Sequence, residues 1–333
     1  MRKDIIVSSR VRLARNIAKH PFPNRLKNEE AGQIVKDIRG ILSEKKYTYI
    51  DIKNNSRLDN LVLVENHIIS AEMLKGEIDR AVFLEKSTEA SIMVNEEDHI
   101  RIQSIVKGDN MEAAFKYTSE IDDKLDKKLM YAFNSEYGYL TACPTNVGTA
   151  MRASFMIHLP MLEVTNQIKN AISFLGKLGI AVRGMYGEGT EAKGSLYQVS
   201  NQITLGQSEA ETIERLNDVV TQIINQEIKI RNKLYSEQKI KLVDEIYRAY
   251  GILTNAKLMN IKEGMLLLSY VKLGMDMQLI DKTFVNEVDI FDLMIKIQKS
   301  NIEKQAERKL QATERDEERA KIIQSKLLSD FGR

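Results

Sequence analysis

One cysteine, Cys143, stands among 333 residues, so no disulfide can close within the chain and nothing in it calls for an oxidising compartment. Tryptophan is absent, and the four prolines all fall before residue 205. No run of about 18 apolar residues occurs, which argues against a membrane-spanning helix. The opening residues, Met1-Arg2-Lys3-Asp4-Ile5-Ile6-Val7, lack the apolar stretch of a signal peptide. These absences predict a cytoplasmic protein with no membrane attachment. Charge of one sign is missing too: 49 Lys and Arg face 47 Asp and Glu, a net of +2, which gives no global basis for direct nucleic-acid binding. What is there suits a globular chain with a proper core, 43% apolar and 29% charged.

Two textures divide the chain. Up to about residue 205, short β-type runs (Leu61–Val64, Ala81–Leu84, Ser91–Val94, Tyr137–Thr141, Ile180–Arg183) alternate with helical patterns. Apolar residues spaced by three and four predict a helix within 110–133, and a second is expected from Glu163 to Leu178, stopping at Gly179. Several β-runs follow one another directly, so the expected fold is α+β: an antiparallel β-sheet flanked by helices, followed by a small all-α domain. Ser208 with Glu211 reads as a capping box opening a long helix. No proline occurs beyond it, and Gly251, Gly264 and Gly274 are read as helix ends. The expected division is residues 1–231 as an α+β domain and 232–333 as a helical C-terminal domain.

Phosphate-binding loops of the common kinds are missing. Gly187-Glu188-Gly189-Thr190-Glu191-Ala192 fits G-x-G-x-x-A, but a glycine-broken, β-prone stretch follows where a dinucleotide site needs a helix. Gly194 precedes Ser195, so no P-loop forms, and neither the protein-kinase catalytic loop nor an Asp-rich metal motif is present. No metal ligand is therefore assigned. Arginines are the remaining candidates. Ser8-Ser9-Arg10-Val11-Arg12 alternates as a strand does, which sets Arg10 and Arg12 on one face about 7 Å apart, a separation suited to a polyphosphate. Asn95-Glu96-Glu97-Asp98-His99-Ile100-Arg101 gathers three acids after an apolar run; as a site it would be a carboxylate pocket for a guanidinium, with Arg101 turned toward phosphates. Taken alone, each stretch fits a solvated surface at least as well. A lone cysteine before a proline, as in Cys143-Pro144, is by itself more often an inert core residue.

Together these stretches resemble the phosphagen (guanidino) kinase family, and most closely its bacterial protein-arginine kinase branch. The resemblance rests on Ser8–Arg12 continued through Leu13-Ala14-Arg15-Asn16, on Asn95–Arg101, on Cys143–Arg152 and on Arg183–Glu191, in family order. It implies ATP as phosphoryl donor, with Mg²⁺ held mainly by phosphate oxygens. Arg10, Arg12, Arg101, Arg152 and Arg183 match positions that line the nucleotide phosphates. The implied nucleotide site also takes in Ser8, Ser9, Val11, His67, Ala153, Ser154, Phe155, Met156, Gly184, Met185, Tyr186, Gly187 and Glu188. Glu97 matches the catalytic carboxylate and Cys143 the cysteine beside the reactive guanidinium. Glu188 corresponds to a second acid of the bacterial branch, whereas Glu191 aligns with that of the small-molecule kinases, which leaves the second carboxylate open.

The chemistry explains why such residues would be needed. A guanidinium has a pKa above about 12 and is a poor nucleophile while protonated, so carboxylates must orient it and take its proton. Small-guanidine kinases carry a helical domain before the first of these motifs, which here begins at residue 8; an open site presenting to a protein arginine is therefore expected. Glu314-Arg315-Asp316-Glu317-Glu318-Arg319-Ala320 resembles a bacterial-branch motif, implying that Arg315, Asp316, Arg319 and Ala320 bind phosphoarginine and regulate the kinase. The implied partners are protein substrates with exposed arginines, a Clp-type unfoldase, a heat-shock repressor, an activating zinc-finger protein and further copies of the chain, in a stress-response setting. A kinase for a free small guanidine, and a non-catalytic phosphoarginine-binding module, are the competing expectations.

Overall fold

The structure, a computed structural model, describes residues 2–88, 90–184, 193–280 and 288–328. After a short α1 (Arg2–Ile5), the alternation noticed at residues 8–12 runs the length of β1 (Ile6–Arg15), with every second side chain buried from Ser9 to Arg15. Around it the described residues form an eight-stranded antiparallel sheet from β2 (Tyr47–Asp51), β3 (Ala81–Glu85), β4 (Ala90–Val94), β5 (Ile100–Lys107), β8 (Met151–His158), β9 (Ile180–Gly184) and β10 (Leu196–Asn201). The order is β2-β3-β4-β5-β1-β8-β10-β9, and β6 (Phe133–Asn134) with β7 (Gly138–Tyr139) makes a separate hairpin.

Register decides what each face carries, because directly opposite residues on antiparallel strands share a face. Val11 and Leu13 sit with Ile102, Ala153, Phe155 and Val199 on one side, all buried. That side packs into the main core with α2 (Asn28–Ile41), α4 (Met111–Asp126) and the first half of α7 (Glu209–Asn255). Each such aliphatic or aromatic side chain withdrawn from water contributes roughly 1.5–3 kcal/mol. The other side is covered only in part. A second cluster, Ile52, Leu63, Ile69, Met73, Val82 and Met93, seals the β2–β4 end beneath α3 (Arg57–Glu65). The arginine-bearing remainder of that side is left to a cavity.

Three expectations change. Leu61–Val64 is helical, within α3, because Ser56 caps the start by accepting from the Asp59 amide at 3.0 Å; a four-residue apolar run cannot by itself tell strand from helix. The helix expected over 163–178 is two, α5 (Pro160–Val164) and α6 (Ile168–Lys177), parted at Asn166, whose φ of 55° is left-handed. Gly264 and Gly274 lie inside α8 (Ile261–Asp276), and Gly251 lies inside α7. A Cβ on Gly274 would meet Ile246 Cγ2 at 2.5 Å, so this glycine permits close helix contact rather than ending a helix. The capping box at Ser208 and Glu211 is present, with Glu211 Oε2 accepting from the Ser208 amide at 2.8 Å.

Helix α7 loses helical geometry at Gln238 (φ −138°, ψ 36°). Before that break, buried Glu227 accepts from the amides of Met161 and Leu162 at the start of α5 and pairs with Arg231 at 2.8 Å. Beyond it come α8, α9 (Ile290–Lys296), α10 (Lys299–Gln305) and α11 (Ala312–Leu327). The helical region holds on to the sheet's cover: Glu65 of α3 accepts from the Ser300 and Asn301 amides at 2.8 and 2.9 Å, satisfying donors that the first turn of α10 cannot bond internally.

Candidate active site

Five arginines share the sheet's second face by register alone. Arg10 and Arg12 lie two apart on β1; Arg12 stands directly opposite Arg152 of β8, and Ala14 opposite Arg101 of β5. Arg183 of β9 faces Gln198, which faces Met156. Like charges set opposite one another cost stability in a sheet, so the arrangement is one that packing alone would avoid. Burial, then neighbouring Arg101, pushes Arg10 down to about 9, with Glu96 opposing. Burial and then Arg10, Arg101 and Arg152 push Arg12 well below its ordinary value. The Nε atoms of Arg10 and Arg12 are buried with no hydrogen-bond partner among the described residues. Such donors suit an incoming anion.

Buried Gln103 steadies this face. Its Oε1 accepts from Arg10 Nη2, and its Nε2 donates to the carbonyls of His67 and Ile68 at 2.9 and 2.8 Å. The turn after α3 is thereby held against Arg10. His67 sits there with φ 59°, and burial pushes its imidazole down to about 4.

The acidic run folds into a braced turn in which its members part company. Asn95 takes a φ of 60°, and its Nδ2 donates to the carbonyls of Ala31 and Asp79. Glu96 is buried against Arg101 Nη1 at 2.6 Å and also accepts from Ser70. Asp98 is buried, with Oδ1 accepting from Asn16 Nδ2 at 2.6 Å and the Ala142 amide at 2.7 Å, which pins the approach to Cys143. His99 Nδ1 accepts from the Ile17 amide, so Nε2 carries the hydrogen donated to the Pro21 carbonyl. Only Glu97 of the three acids reaches solvent, with the turn still shielding part of it. Burial first, then Asp98 and Glu96, raise its pKa against the pull of Arg101 and Arg152. The expected three-acid pocket is thus a single presented carboxylate on a rigid turn, and Arg101 is paired with Glu96 rather than turned away from the acids.

A cavity of about 640 Å³ gathers Arg12, Glu97, Asp98, Arg101, Cys143, Arg152 and Arg183, with Thr145, Asn146 and Gln202. Cys143 Sγ lies 3.0 Å from Thr145 Oγ1. Ser8, Ser154 and Met156 share the arginine face by register. Ser9, Val11, Ala153 and Phe155 do not join them: their side chains are buried on the opposite face, where Ser9 Oγ donates to Gly108 and accepts from the Asn110 amide. Arg15 also faces that way, bonded to Asp122 at 2.7 Å beneath the Tyr139 ring. Gly184 is buried at the end of β9, while Met185, Tyr186, Gly187, Glu188 and Glu191 lie outside the described residues. Sequence reasoning missed Gln103 and Gln202; the first was findable, since it alternates with Arg101 on β5. A larger cleft of about 1140 Å³ holds Lys53, Arg57 and Arg80 with Glu77, and lacks the cysteine and the arginine cluster.

Residues 31–230 match the family model of the ATP:guanido phosphotransferase C-terminal catalytic domain. The chain belongs to the ATP:guanido phosphotransferase family. Within that family it is 42% identical to the protein-arginine kinase of Halothermothrix orenii, over 98% of this chain and 93% of the relative. It is 42% identical to that of Bacillus subtilis over 97% of this chain and 90% of the relative. Among solved guanidino kinases, lombricine kinase superposes with a TM-score of 0.62 at 25% identity, covering 70% of this chain and 69% of that one. The duplicated taurocyamine kinase of Schistosoma mansoni, with bound transition-state-analogue components, gives 0.62 at 26% identity over 78% of this chain. This guanidino-kinase chain spans 38% of that protein's length.

Residues 239–331 match the model of the protein-arginine kinase McsB C-terminal domain. There the R-D-x-x-R-A motif of this family member lies on α11. Arg319 is 3% exposed, its Nε donating to the Ile297 carbonyl at 3.0 Å and Nη1 to the Met259 carbonyl at 2.7 Å and to Asp316 at 2.5 Å. Arg315 donates to the Leu310 carbonyl at 2.6 Å and to Glu303 of α10 at 3.3 Å. The two arginines expected to grip one phosphoryl group therefore differ: Arg319 is an internal clamp, and Arg315 stays part-exposed. No helix among the described residues is long and apolar enough to cross a membrane.

Proposed function

We infer that this chain is a protein-arginine kinase, transferring the γ-phosphoryl group of ATP to arginine side chains of proteins. The observation that carries the reading is one cavity where a presented carboxylate, Glu97, and Cys143 meet four arginines. The high identity to protein-arginine kinases along nearly the whole chain supports a protein substrate. Arg10, Arg12, Arg101, Arg152 and Arg183 spread positive charge along the triphosphate and stabilise the transferring group, as such clamps do in other phosphoryl transfers. Glu97 lies against the plane of the incoming guanidinium, aligns one nitrogen with the γ-phosphorus and takes the proton released as the N–P bond forms and the bond to the β-phosphate oxygen breaks. A second acid, Glu188 or Glu191, completes the clamp. Cys143 contributes a polarisable group beside the substrate cation.

Among the described residues no group of three His, Cys, Asp or Glu could hold a metal ion. Asp98 is committed to Asn16 and the Ala142 amide, so the donor set suits a Mg²⁺ held by phosphate oxygens and water. That ion would neutralise phosphate charge. The reading takes residues 1–231 as the catalytic unit and 232–333 as a phosphoarginine-binding regulatory unit. It carries a cytoplasmic setting, self-association and the stress-response partners implied by the resemblance. Mass spectrometry of a basic protein substrate incubated with ATP and Mg²⁺, handled at neutral or basic pH because the phosphorus–nitrogen bond is acid-labile, should find phosphoarginine. Phosphate only on free arginine would refute the reading.

The two motif arginines separate the regulatory role from the structural one. Arg319→Ala leaves buried carbonyls without a donor and should lower stability by about 2–4 kcal/mol, read as a drop in denaturant midpoint. Arg315→Gln, which keeps an amide donor and places no carboxylate beside buried Glu303, should keep the fold and weaken phosphoarginine binding in calorimetry.

A further inference from the structure

Beside the catalytic cavity runs a groove of about 430 Å³ between the β6–β7 hairpin and the start of α7. Its rim is apolar and uncovered: Phe133 is 59% exposed, Tyr137 48% and Leu205 51%. Glu136, Glu209 and Glu211 line it, the last engaged with Ser208 in the helix cap, and no lysine or arginine does so among the described residues. Groove and cavity adjoin along two segments, 145–149 and 202–204, which contribute residues to both, and the first forms a wall between them. On the cavity side lie Thr145 and Asn146; on the groove side lie Gly148 and Thr149. Hydrogen bonds fix the wall at both edges, from the Tyr139 amide to the Gly148 carbonyl at 2.8 Å and from the Thr149 amide to the Thr204 carbonyl at 3.0 Å. The hairpin is itself pre-shaped, since Asn134 Oδ1 accepts from the amides of Glu136 and Tyr137.

Resting on the protein-arginine kinase reading, we propose that this groove binds the substrate residues flanking the phosphorylated arginine, and that it selects segments bearing further lysines or arginines. An extended chain advances about 3.3 Å per residue, so an arginine reaching over the wall to Glu97 leaves its near neighbours above the groove. Aromatic faces beside carboxylates attract cationic side chains that bring an apolar stem, and exposed apolar surface next to a catalytic cavity marks an interaction face. The acids give the groove the sign opposite to the arginine face, so a basic flank is drawn away from the nucleotide site and not into it.

The test uses the full chain and two peptides with a single target arginine, one flanked by lysines and one by glutamates. At low salt the lysine-flanked peptide should show a KM lower by roughly tenfold at similar kcat, with the gap shrinking as salt rises. Glu136→Lys with Glu209→Lys should invert that preference; Glu136→Lys alone, away from the α7 start, should erase most of it. Phe133→Ala with Tyr137→Ala should raise both KM values. An unchanged peptide ratio in the reversed variants overturns the proposal while the kinase reading stands. A shift in oligomeric mass by light scattering, with both KM values unaltered, makes the groove a subunit contact and also overturns it. Failure of the unaltered protein to phosphorylate either peptide, or any protein arginine, removes the kinase reading and the groove's role together.

Discussion

Glu97→Ala is expected to abolish phosphoryl transfer, with a loss of about a thousandfold or more, while ATP affinity stays within a few-fold. Of the three consecutive acids, Glu96 is consumed by Arg101 and Asp98 by Asn16 and the Ala142 amide, so neither can take over the proton. The variant should also be no less stable than the parent. Burial and two acidic neighbours raise the folded pKa of Glu97 above its unfolded value, so its charge opposes folding above that raised pKa. The opposition fades as pH falls from the raised pKa toward the unfolded value and is gone below it. Deleting the carboxylate removes that opposition at neutral pH. Single-turnover kinetics, calorimetry with ATP and a melting curve measured together check all three statements; full turnover, or a large drop in melting temperature, would contradict them. The same shift predicts that the acid limb of the rate profile lies above the ordinary glutamate pKa, activity falling as pH falls through it.

How much of this was legible beforehand follows from which rules are local. The two-residue alternation of β1 put Arg10 and Arg12 on one face without any structure, and the Ser208–Glu211 box announced α7. That Arg152 stands opposite Arg12, and that Arg183 lies two strands further out, depends on register, which is set by long-range pairing and is not written in any one segment. The same alternation, applied strictly, would have kept Ser9, Val11, Ala153 and Phe155 off the site, since each sits between two residues of the arginine face. The division of labour among Glu96, Glu97 and Asp98 was out of reach, because it depends on what Ser70, Asn16 and Ala142 bring to the turn from elsewhere. Arg319 misled for a related reason. A helical i, i+4 pair predicts a shared direction, but burial by the α8 and α9 ends decides what each guanidinium can bond.

Arg12→Met should cost roughly a thousandfold in kcat/KM and yet leave the free protein as stable as before, or more so. Arg12 is held among Arg10, Arg101 and Arg152, with a buried Nε that no described group satisfies. A cation whose folded pKa is depressed opposes folding at every pH where it remains charged, so removing it relieves the sheet while methionine keeps most of the apolar stem. The relief and the loss have one origin. What makes the arginine face unfavourable when empty is positive charge that the protein does not neutralise, and on the proposed reading a bound triphosphate supplies the missing negative charge. Thermal shift separates the cases: ATP should raise the melting temperature of the parent protein markedly and that of Arg12→Met little, although the unliganded variant starts no lower. A variant that melts well below the parent and still gains the full ATP shift would mean that Arg12 is a structural residue and that the phosphates bind elsewhere.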